Sequence, residues 1–156
     1  MMSVSSLENA NFLSIDHAAA VRCSKSIHIQ AKPEKVWSLL TNINEWPTWL
    51  TTVKNAQLNG TLKPKTTFDW NSSGLKIHST LEVVTPYSDI SWTGVVLGIH
   101  AIHTWRLEQA DGGTTVYVSE SMTGFLTRIF SRFFNKTLEK GMIDSLHLLK
   151  AAAEQL

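Results

Sequence analysis

The chain has 156 residues, and its 14 basic and 13 acidic side chains give a formal net charge of only +1. A chain of this length buries roughly two-thirds of the surface that its unfolded form exposes, which suffices for one hydrophobic core, and so small a charge gives no reason to expect nucleic acid as a partner. The single cysteine, Cys23, excludes an intrachain disulfide and a zinc site made of several cysteines, and it suits a reducing compartment.

The first 20 residues lack the basic segment and apolar run of a signal peptide, and their periodicity is weak. They are predicted to form an N-terminal arm that is flexible or partly helical over residues 7–15. No later segment reaches the ~20 consecutive apolar residues of a membrane span. The sequence therefore predicts a cytoplasmic protein with a single domain over residues 21–156.

The domain begins with an alternating run from Val21 that predicts a strand and ends before Pro33. The segment PEKVWSLLTNI then has apolar residues at helical spacing. In the next segment, Trp46 and Trp49 flank Pro47. Because a residue before proline is biased away from the α conformation, Pro47 is expected to end or bend a second short helix.

Six alternating runs with turn residues between them follow these helices. They read VKNAQL, TTFDWN, KIHSTLEVV, DISWTGVV, GIHAIHTWRLEQ and TTVYVSES. Strands in series predict an antiparallel meander. The chain then ends in apolar residues at steps of three or four, namely Phe130, Phe134, Leu138, Met142, Leu146 and Leu149. This pattern predicts one amphipathic helix from about Leu126 to Gln155, lying on a face of the sheet.

Strand parity predicts which side chains face that helix, because alternate residues of a strand share a face. On the fifth of the six runs, the inward set is Ile99, Ala101, His103, Trp105 and Leu107, whereas His100, Thr104, Arg106 and Glu108 are expected in solvent. The other runs place inward Phe68, Trp70, Ile77, Leu81, Val83, Ile90, Trp92, Val116, Val118 and Glu120. Such an aromatic face is also what an ordinary core requires.

His103 and Glu120 are the polar members of this face and the pair with catalytic potential. An imidazole and a carboxyl group in an apolar site can supply an acid and a base near neutral pH. Such a pair could move a proton to or from a carbon next to a carbonyl. The alternative is that His103 is a hydrogen-bonded core residue and that Glu120 meets a Lys, an Arg or backbone donors.

The remaining chemistry-bearing residues predict neither a metal nor a cofactor. His100 and His103 are an odd number of residues apart, so on a strand their rings point to opposite faces and cannot clasp one ion without a bulge. Cys23 has no evident base partner and is expected to be a structural thiol. The sequence contains no glycine-rich phosphate loop and no serine-nucleophile elbow.

The order of these elements resembles the START-like, birch-pollen-allergen-like superfamily called SRPBCC, and within it the polyketide cyclase/dehydrase group. The resemblance is carried by AKPEKVWSLLTNINEWPTWLTTV, by HTWRLEQADGGTTVYVSES and by the terminal helix. It implies an α+β helix-grip fold, a curved antiparallel sheet of about seven strands around the long C-terminal helix, with two short helices after the first strand. It also implies an apolar cavity between the sheet and that helix.

The expected occupant of such a cavity is a small hydrophobic molecule that is lipid-like, polyketide-like or aromatic. At least one of Trp46 and Trp49 is expected to close an end of the cavity. The expected lining combines apolar and aromatic side chains with the polar pair: Trp46, Trp49, Phe68, Trp70, Ile77, Leu81, Trp92, His103, Trp105, Glu120, Met122, Phe130, Phe134 and Met142.

Two other functions stay open at this point. One is a cofactor-independent cyclase/dehydrase enzyme, and the other is a chaperone-activator-like protein-interaction module, which requires an exposed apolar patch. The basic residues Arg128, Arg132, Lys136 and Lys140 recur every four positions in the terminal helix. Such a stripe is more often a solvated face than a membrane-docking surface, so the sequence disfavours membrane contact. It does not indicate an oligomeric state.

Overall fold

A computed structural model of the chain describes residues 13–156. Most of the predicted N-terminal arm, residues 1–12, lies outside the described residues. The strands are β1 (Val21–Ile29), β2 (Val53–Leu58), β3 (Thr67–Ser72), β4 (Leu75–Thr85), β5 (Asp89–Val96), β6 (Ile99–Ala110) and β7 (Gly113–Thr123). The helices are α1 (Pro33–Thr41), a 3-10 turn (Ile43–Glu45), α2 (Trp46–Trp49), α3 (Phe125–Ile129) and α4 (Ser131–Ala153).

All the strands belong to one antiparallel, seven-stranded sheet with the order β1-β7-β6-β5-β4-β3-β2. Strands β2 to β7 are neighbours in sequence and in space, and β1 adds to the free side of β7. This arrangement, with its long C-terminal helix, confirms the predicted α+β helix-grip fold and its meander.

Three two-residue turns set the register of the central hairpins. They are Ser73–Gly74, Leu97–Gly98 and Asp111–Gly112, and all six residues have positive φ. Turns with two positive φ values match the right-handed twist of the flanking strands. The pairings β3–β4, β5–β6 and β6–β7 consequently start directly beside each turn.

A bulge in β4 corrects one predicted inward residue. Leu81 pairs with Trp92, but Val83 pairs with Ser91 and Val84 with Ile90, so the register shifts between Leu81 and Val83. An extra residue on one strand reverses the parity of those that follow. The prediction that Val83 points inward is therefore wrong, and Val84 packs against the core instead.

The segment from Leu13 to Ala20 covers part of the outer face of the sheet. The backbone N–H of Asp16 donates to Ser121 Oγ at 2.9 Å, and Ile15 is buried. Leu13 lies over Thr104 and its neighbours. The prediction that Thr104 is solvated is therefore wrong, because strand parity alone does not show that another segment covers the outer face.

Pro47 lies in the first turn of a helix, whereas the sequence predicted that this residue would end or bend a helix. Trp46 has φ −50° and ψ −40°, which is α conformation, and Pro47 is the second residue of α2. Proline is tolerated in the first turn of a helix because the N–H that it lacks has no partner there. The expectation that Trp46 avoids the α conformation is therefore wrong.

The C-terminal helix is divided in two. Phe130, with φ −107° and ψ 33°, separates α3 from α4, and its side chain is exposed. The predicted continuous helix from Leu126 and the predicted inward position of Phe130 are both wrong. In α4, the apolar face that the spacing predicted is buried at Leu138, Met142, Leu146 and Leu149.

Polar contacts fasten α4 to β1 at several points. Lys25 Nζ donates to Glu139 Oε1 at 2.7 Å, and Lys150 Nζ donates to the carbonyl of His28 at 2.9 Å. The N–H of Gln30, just after β1, donates to Glu154 at 2.8 Å. The helix thus lies along the strand at one edge of the sheet. No helix among residues 13–156 combines the length and the hydropathy needed to cross a membrane.

Candidate functional site

A row of five inward side chains crosses the inner face of the sheet. Trp92 pairs directly with His103, His103 with Glu120, Glu120 with Cys23, and Leu81 with Trp92. The residues of this row come from five different strands and lie side by side, and the two-residue turns fix the register of the pairings Trp92–His103 and His103–Glu120. The row changes from apolar at Leu81 to polar at His103 and Glu120.

The polar pair is in direct contact. His103 Nδ1 lies 2.8 Å from Glu120 Oε2, with side-chain exposures of only 17% and 14%. These values are too low for an ordinary surface ion pair, and among the described residues His103 is the ionisable side chain that contacts Glu120. The geometry permits one proton to be shared between the two side chains.

Two tryptophan rings hold the imidazole in place. The rings of His103 and Trp92 are stacked, with centroids 4.7 Å apart and planes 12° apart. The Trp105 ring lies 5.5 Å from the His103 ring, with planes 19° apart. Stacking against two indole rings restricts rotation of the imidazole, so that Nδ1 stays directed at Glu120.

Three buried nitrogen atoms near this face have no partner among the described residues: His103 Nε2, Trp105 Nε1 and Trp49 Nε1. An unsatisfied buried polar group costs about 1–3 kcal/mol, so folded proteins rarely keep one without compensation. An indole nitrogen can only donate a hydrogen bond. The site thus presents two N–H donors that an acceptor oxygen would satisfy.

The two tryptophans around Pro47 differ in their surroundings. Trp46 donates from Nε1 to the carbonyl of Leu40 at 3.1 Å, and its ring lies 5.5 Å from Phe68 and 5.6 Å from both Trp70 and Trp92. Trp46 is therefore the centre of an aromatic cluster in the core. Trp49 is buried in the same core, but its N–H is unpaired.

Most of the remaining predicted lining belongs to this core, and two members do not. Phe68, Leu81, Trp92, Trp105 and Met142 are buried in it, while Trp70, Met122 and Phe134 are partly buried against it. Ile77 instead lies beside Trp70 in an open groove, and Phe130 lies on the surface.

Five adjacent inward residues near the β1 edge of the sheet are only half-buried. Cys23, Ala101, His103, Glu120 and Met122 are adjacent on β1, β6 and β7, and all are half-buried. By contrast, the inward residues Phe68, Leu81 and Trp92 are buried. We call these five half-buried residues the inner patch, and solvent reaches it, as it reaches Trp70 and Ile77 at the open groove described below.

An open groove of about 650 Å³ beside β2, β3 and β4 was not predicted from the sequence. In its lining, His78 Nδ1 lies 2.7 Å from Asp69 Oδ1, and Asn59 Nδ2 donates to Asp69 Oδ2 at 2.8 Å. These hydrogen bonds, the one from His78 above all, lower the pKa of Asp69. The signal that predicts the pair is the turn Ser73–Gly74, because a two-residue turn there places residue 69 opposite residue 78.

Cys23 shares the row with Glu120 but does not have the character of a nucleophile. Burial raises the pKa of its thiol; the charge of Lys25 opposes this rise, and the charges of Glu139 and Glu120 add to it. A thiol with a raised pKa is a poor nucleophile near neutral pH. Cys23 therefore contributes apolar surface to the inner patch.

Within residues 13–156, no three His, Cys, Asp or Glu side chains are close enough together to hold a metal ion. His100 is exposed, while His103 contacts Glu120 on the inner face. The two rings thus lie on opposite faces of β6, as their odd spacing predicted.

Residues 20–154 match the sequence model of a protein family described as "Polyketide cyclase / dehydrase and lipid transport". Among curated proteins, none matches the sequence of this chain.

Solved structures with the same fold have low sequence identity to the chain. A hypothetical protein from Helicobacter pylori has a TM-score of 0.80 at 16% identity, covering 93% of this chain and 99% of its own. A START superfamily protein from Mycobacterium smegmatis has a TM-score of 0.75 at 12% identity, with coverage of 86% and 97%. The di-domain ARO/CYC BexL has a TM-score of 0.73 at 15% identity, covering 86% of this chain and 50% of its own.

Proposed function

The chain belongs to the polyketide cyclase/dehydrase and lipid transport family, and from this premise we propose that it binds a small, mainly hydrophobic molecule between the sheet and α4. The ligand is lipid-like, polyketide-like or aromatic, and it carries at least one oxygen that accepts a hydrogen bond. Its binding site is the inner patch, together with Trp105 and Met142.

The unpaired N–H group of Trp105 is the observation that carries this proposal. It lies on a ring stacked against His103, whose Nε2 is also unpaired. A carbonyl, hydroxyl or ether oxygen of a ligand offsets the cost of burying such a donor. The apolar part of the ligand is accommodated by Cys23, Ala101 and Met122, which supply little polarity.

The packing around Trp46 supports a site on the β1 side of the inner face. Contacts of Trp46 with Phe68, Trp70 and Trp92 fill the space over β3 to β5. The helix α2, which carries Trp46 and Trp49, also contacts α4. We therefore expect Trp49 to close the end of the site at which α2 and α4 meet.

Titration with an apolar fluorescent dye tests this assignment. Dye binding is expected to fall sharply in Trp49→Ala and in Met122→Ser, and to stay unchanged in Tyr117→Ser. Tyr117 is the matched control because it lies on the outer face of β7 and is exposed. If folded Trp49→Ala and Met122→Ser proteins bound the dye as the wild type does, the ligand site would not be at the inner patch.

A second function, proton-transfer catalysis, is favoured by the contact of 2.8 Å between His103 and Glu120. In this alternative, His103 Nε2 takes a proton from a carbon next to a ligand carbonyl, and Glu120 stabilises the imidazolium that results. The Trp105 N–H donates to the carbonyl oxygen, where negative charge develops. The same proton then returns to another atom of the substrate as the ring closes or water leaves.

Exchange of carbon-bound protons in heavy water separates the two functions. With a linear 1,3-diketone as probe, an enzyme is expected to accelerate exchange, and Glu120→Gln and His103→Ala are expected to abolish the acceleration while retaining the probe. A carrier binds the diketone without accelerating exchange, and its Glu120→Gln variant changes only affinity. Thr123→Val, a change near the end of the same strand, is the control.

A further inference from the structure

We propose that one corner of the molecule, built from α3, the start of α4 and the turn between β5 and β6, binds the surface of an anionic lipid bilayer. The corner is defined by five apolar side chains that are each more than half exposed: Leu97, Phe125, Ile129, Phe130 and Phe133. We call it the apolar corner. Its function does not depend on the identity of the ligand in the interior.

The helix α3 makes almost no contribution to the core. Of its five residues, Thr127 is buried, and the Thr127 hydroxyl donates to the carbonyl of Gly124. Phe125 is 76% exposed and Ile129 is 55% exposed. Contiguous exposed apolar side chains on a folded protein usually mark an interaction site.

The backbone holds α3 against the neighbouring turn. A Cβ atom at Gly124 would lie 2.8 Å from the carbonyl oxygen of Gly98, so the two chain segments touch through their glycines. Phe125 follows Gly124 and Leu97 precedes Gly98. This contact places two of the most exposed apolar side chains of the described chain at the same corner.

The charged residues of α3 and of the first turns of α4 have one sign. Residues 121–138 contain Arg128, Arg132 and Lys136 and no acidic residue, although the whole chain carries a net charge of only +1. The three side chains are exposed, and none forms an ion pair within the described part of the chain. Aromatic side chains beside unpaired basic residues suit the interface of an anionic bilayer.

The structure also changes the basis on which the sequence disfavoured membrane contact. From the sequence, the basic stripe was expected to be a solvated face beside apolar residues that face the core. In α3 the apolar side chains do not face the core, and Phe133 in the first turn of α4 is 66% exposed. Basic and apolar residues are thus exposed together over residues 125–136.

Charge argues against a second copy of the chain as the occupant. A symmetric dimer through the apolar corner would bring Arg128, Arg132 and Lys136 of one copy close to the same residues of the other. Like charges at an interface oppose association. A bilayer with anionic headgroups complements this charge and needs no groove, since the five side chains project at a corner.

The apolar corner lies next to the inner patch, which links bilayer binding to the proposed ligand site. The strand β7 runs from Glu120 through Met122 directly into Gly124 and α3. Met122 pairs with Ala101, and both belong to the inner patch. A bilayer at the apolar corner is therefore beside the half-buried end of the inner face, where a hydrophobic molecule can pass between membrane and protein.

Vesicle flotation tests the proposal with the full chain. The wild-type protein is expected to float with vesicles of equal phosphatidylcholine and phosphatidylglycerol, and to remain unbound with phosphatidylcholine alone. Phe125→Ser with Phe133→Ser is expected to weaken binding by about tenfold or more, because each phenylalanine loses apolar burial. Arg128→Gln with Arg132→Gln is expected to weaken it by about tenfold, since each basic residue near an anionic surface contributes severalfold.

Matched controls distinguish vesicle binding through the apolar corner from nonspecific binding through other exposed apolar or basic residues. Tyr117→Ser with Leu75→Ser removes exposed apolar side chains elsewhere, and Lys54→Gln with Lys76→Gln removes the same charge from another surface. Both controls are expected to float like the wild type. Failure of the wild type to float, equal flotation with neutral vesicles, or sedimentation as a dimer that the Phe125→Ser, Phe133→Ser variant breaks would overturn the proposal.

Discussion

Trp46 and Trp105 carry the same indole group, and the fold uses the two differently. Trp46 donates to the carbonyl of Leu40 and packs against three aromatic rings. Trp105 stacks on His103 but leaves its N–H unpaired. The N–H of Trp46 is therefore satisfied within the fold, whereas the N–H of Trp105 is available to a ligand.

The same substitution at both positions measures this difference. Trp46→Phe and Trp105→Phe remove equivalent atoms, but only the first breaks a hydrogen bond. We expect Trp46→Phe to cost about 1 kcal/mol more of unfolding free energy than Trp105→Phe, as measured by urea denaturation of the ligand-free protein. Equal losses would mean that the Trp105 N–H has a partner in the folded chain.

Two carboxylates, Glu139 in α4 and Glu154 directly after it, predict a pH dependence. Hydrogen bonds from Lys25 to Glu139, and from Lys150 and the Gln30 N–H to Glu154, lower the pKa of both glutamates. Since their pKa is lower in the folded than in the unfolded chain, their stabilisation is complete above the ordinary pKa of glutamate and is lost as the pH falls through the folded value. The urea midpoint should therefore drop on acidification.

Variants test whether these two carboxylates cause the loss of stability at acidic pH. Glu139→Gln with Glu154→Gln is expected to flatten the acidic part of the pH profile. The control, Glu45→Gln with Glu108→Gln, changes two exposed glutamates that form no ion pair among residues 13–156. An acid limb as steep in the first double variant as in the control would contradict the assignment.

Alternation predicted that His103 and Glu120 share the inner face, and the register of the hairpin brings them into contact. The two residues are equidistant from the turn Asp111–Gly112, so a two-residue hairpin places them opposite each other. The same reasoning failed at Val83, where a bulge reverses the parity, and at Thr104, where residues from outside the sheet cover the strand. Neither a bulge nor a long-range cover has a local sequence signal here.

At the scale of the elements, the glycines of the C-terminal region have opposite roles. Gly124 has φ +139°, and a Cβ there would collide with the carbonyl of Gly98. Gly141 lies within α4, and a Cβ there would meet nothing within 4 Å. The first glycine is required for α3 to approach the β5–β6 turn, while the second only weakens a helix.

Alanine at each glycine is expected to shift stability in opposite directions. Gly124→Ala should destabilise the fold by about 1–3 kcal/mol through backbone strain and displace α3. Gly141→Ala should stabilise it by about 0.5–1 kcal/mol, because alanine loses less backbone freedom in a helix. Thermal melts of both variants check this, and stabilisation by Gly124→Ala would show that α3 is not held against Gly98.

The sequence predicted which segments are strands and helices better than it predicted where the helices begin and end. Segments VKNAQL and DISWTGVV match β2 and β5 residue for residue. The break at Phe130 was not predictable, because residues 125–140 contain neither glycine nor proline and their apolar spacing continues through it. Pro47 had a local signal, but its position in the first turn of α2 depends on how the chain leaves the 3-10 turn.

At the scale of the whole molecule, two surfaces lie close together. The inner patch is half-buried between β1, β6 and β7, and the apolar corner begins directly after β7. The sequence predicted the sheet, the long helix and the polar pair. It did not predict the apolar corner, because the exposure of α3 depends on the break at Phe130 and on the contact between Gly124 and Gly98.

Native mass spectrometry of the gently purified 156-residue chain tests ligand binding at the inner patch. We expect a retained mass of a small oxygen-containing hydrophobic molecule in the wild type, less of it in Trp105→Phe, and an undiminished amount in the matched Tyr117→Phe protein. Only the mass of the bare chain, both as purified and after incubation with a long-chain fatty acid and an aromatic ketone, would contradict it.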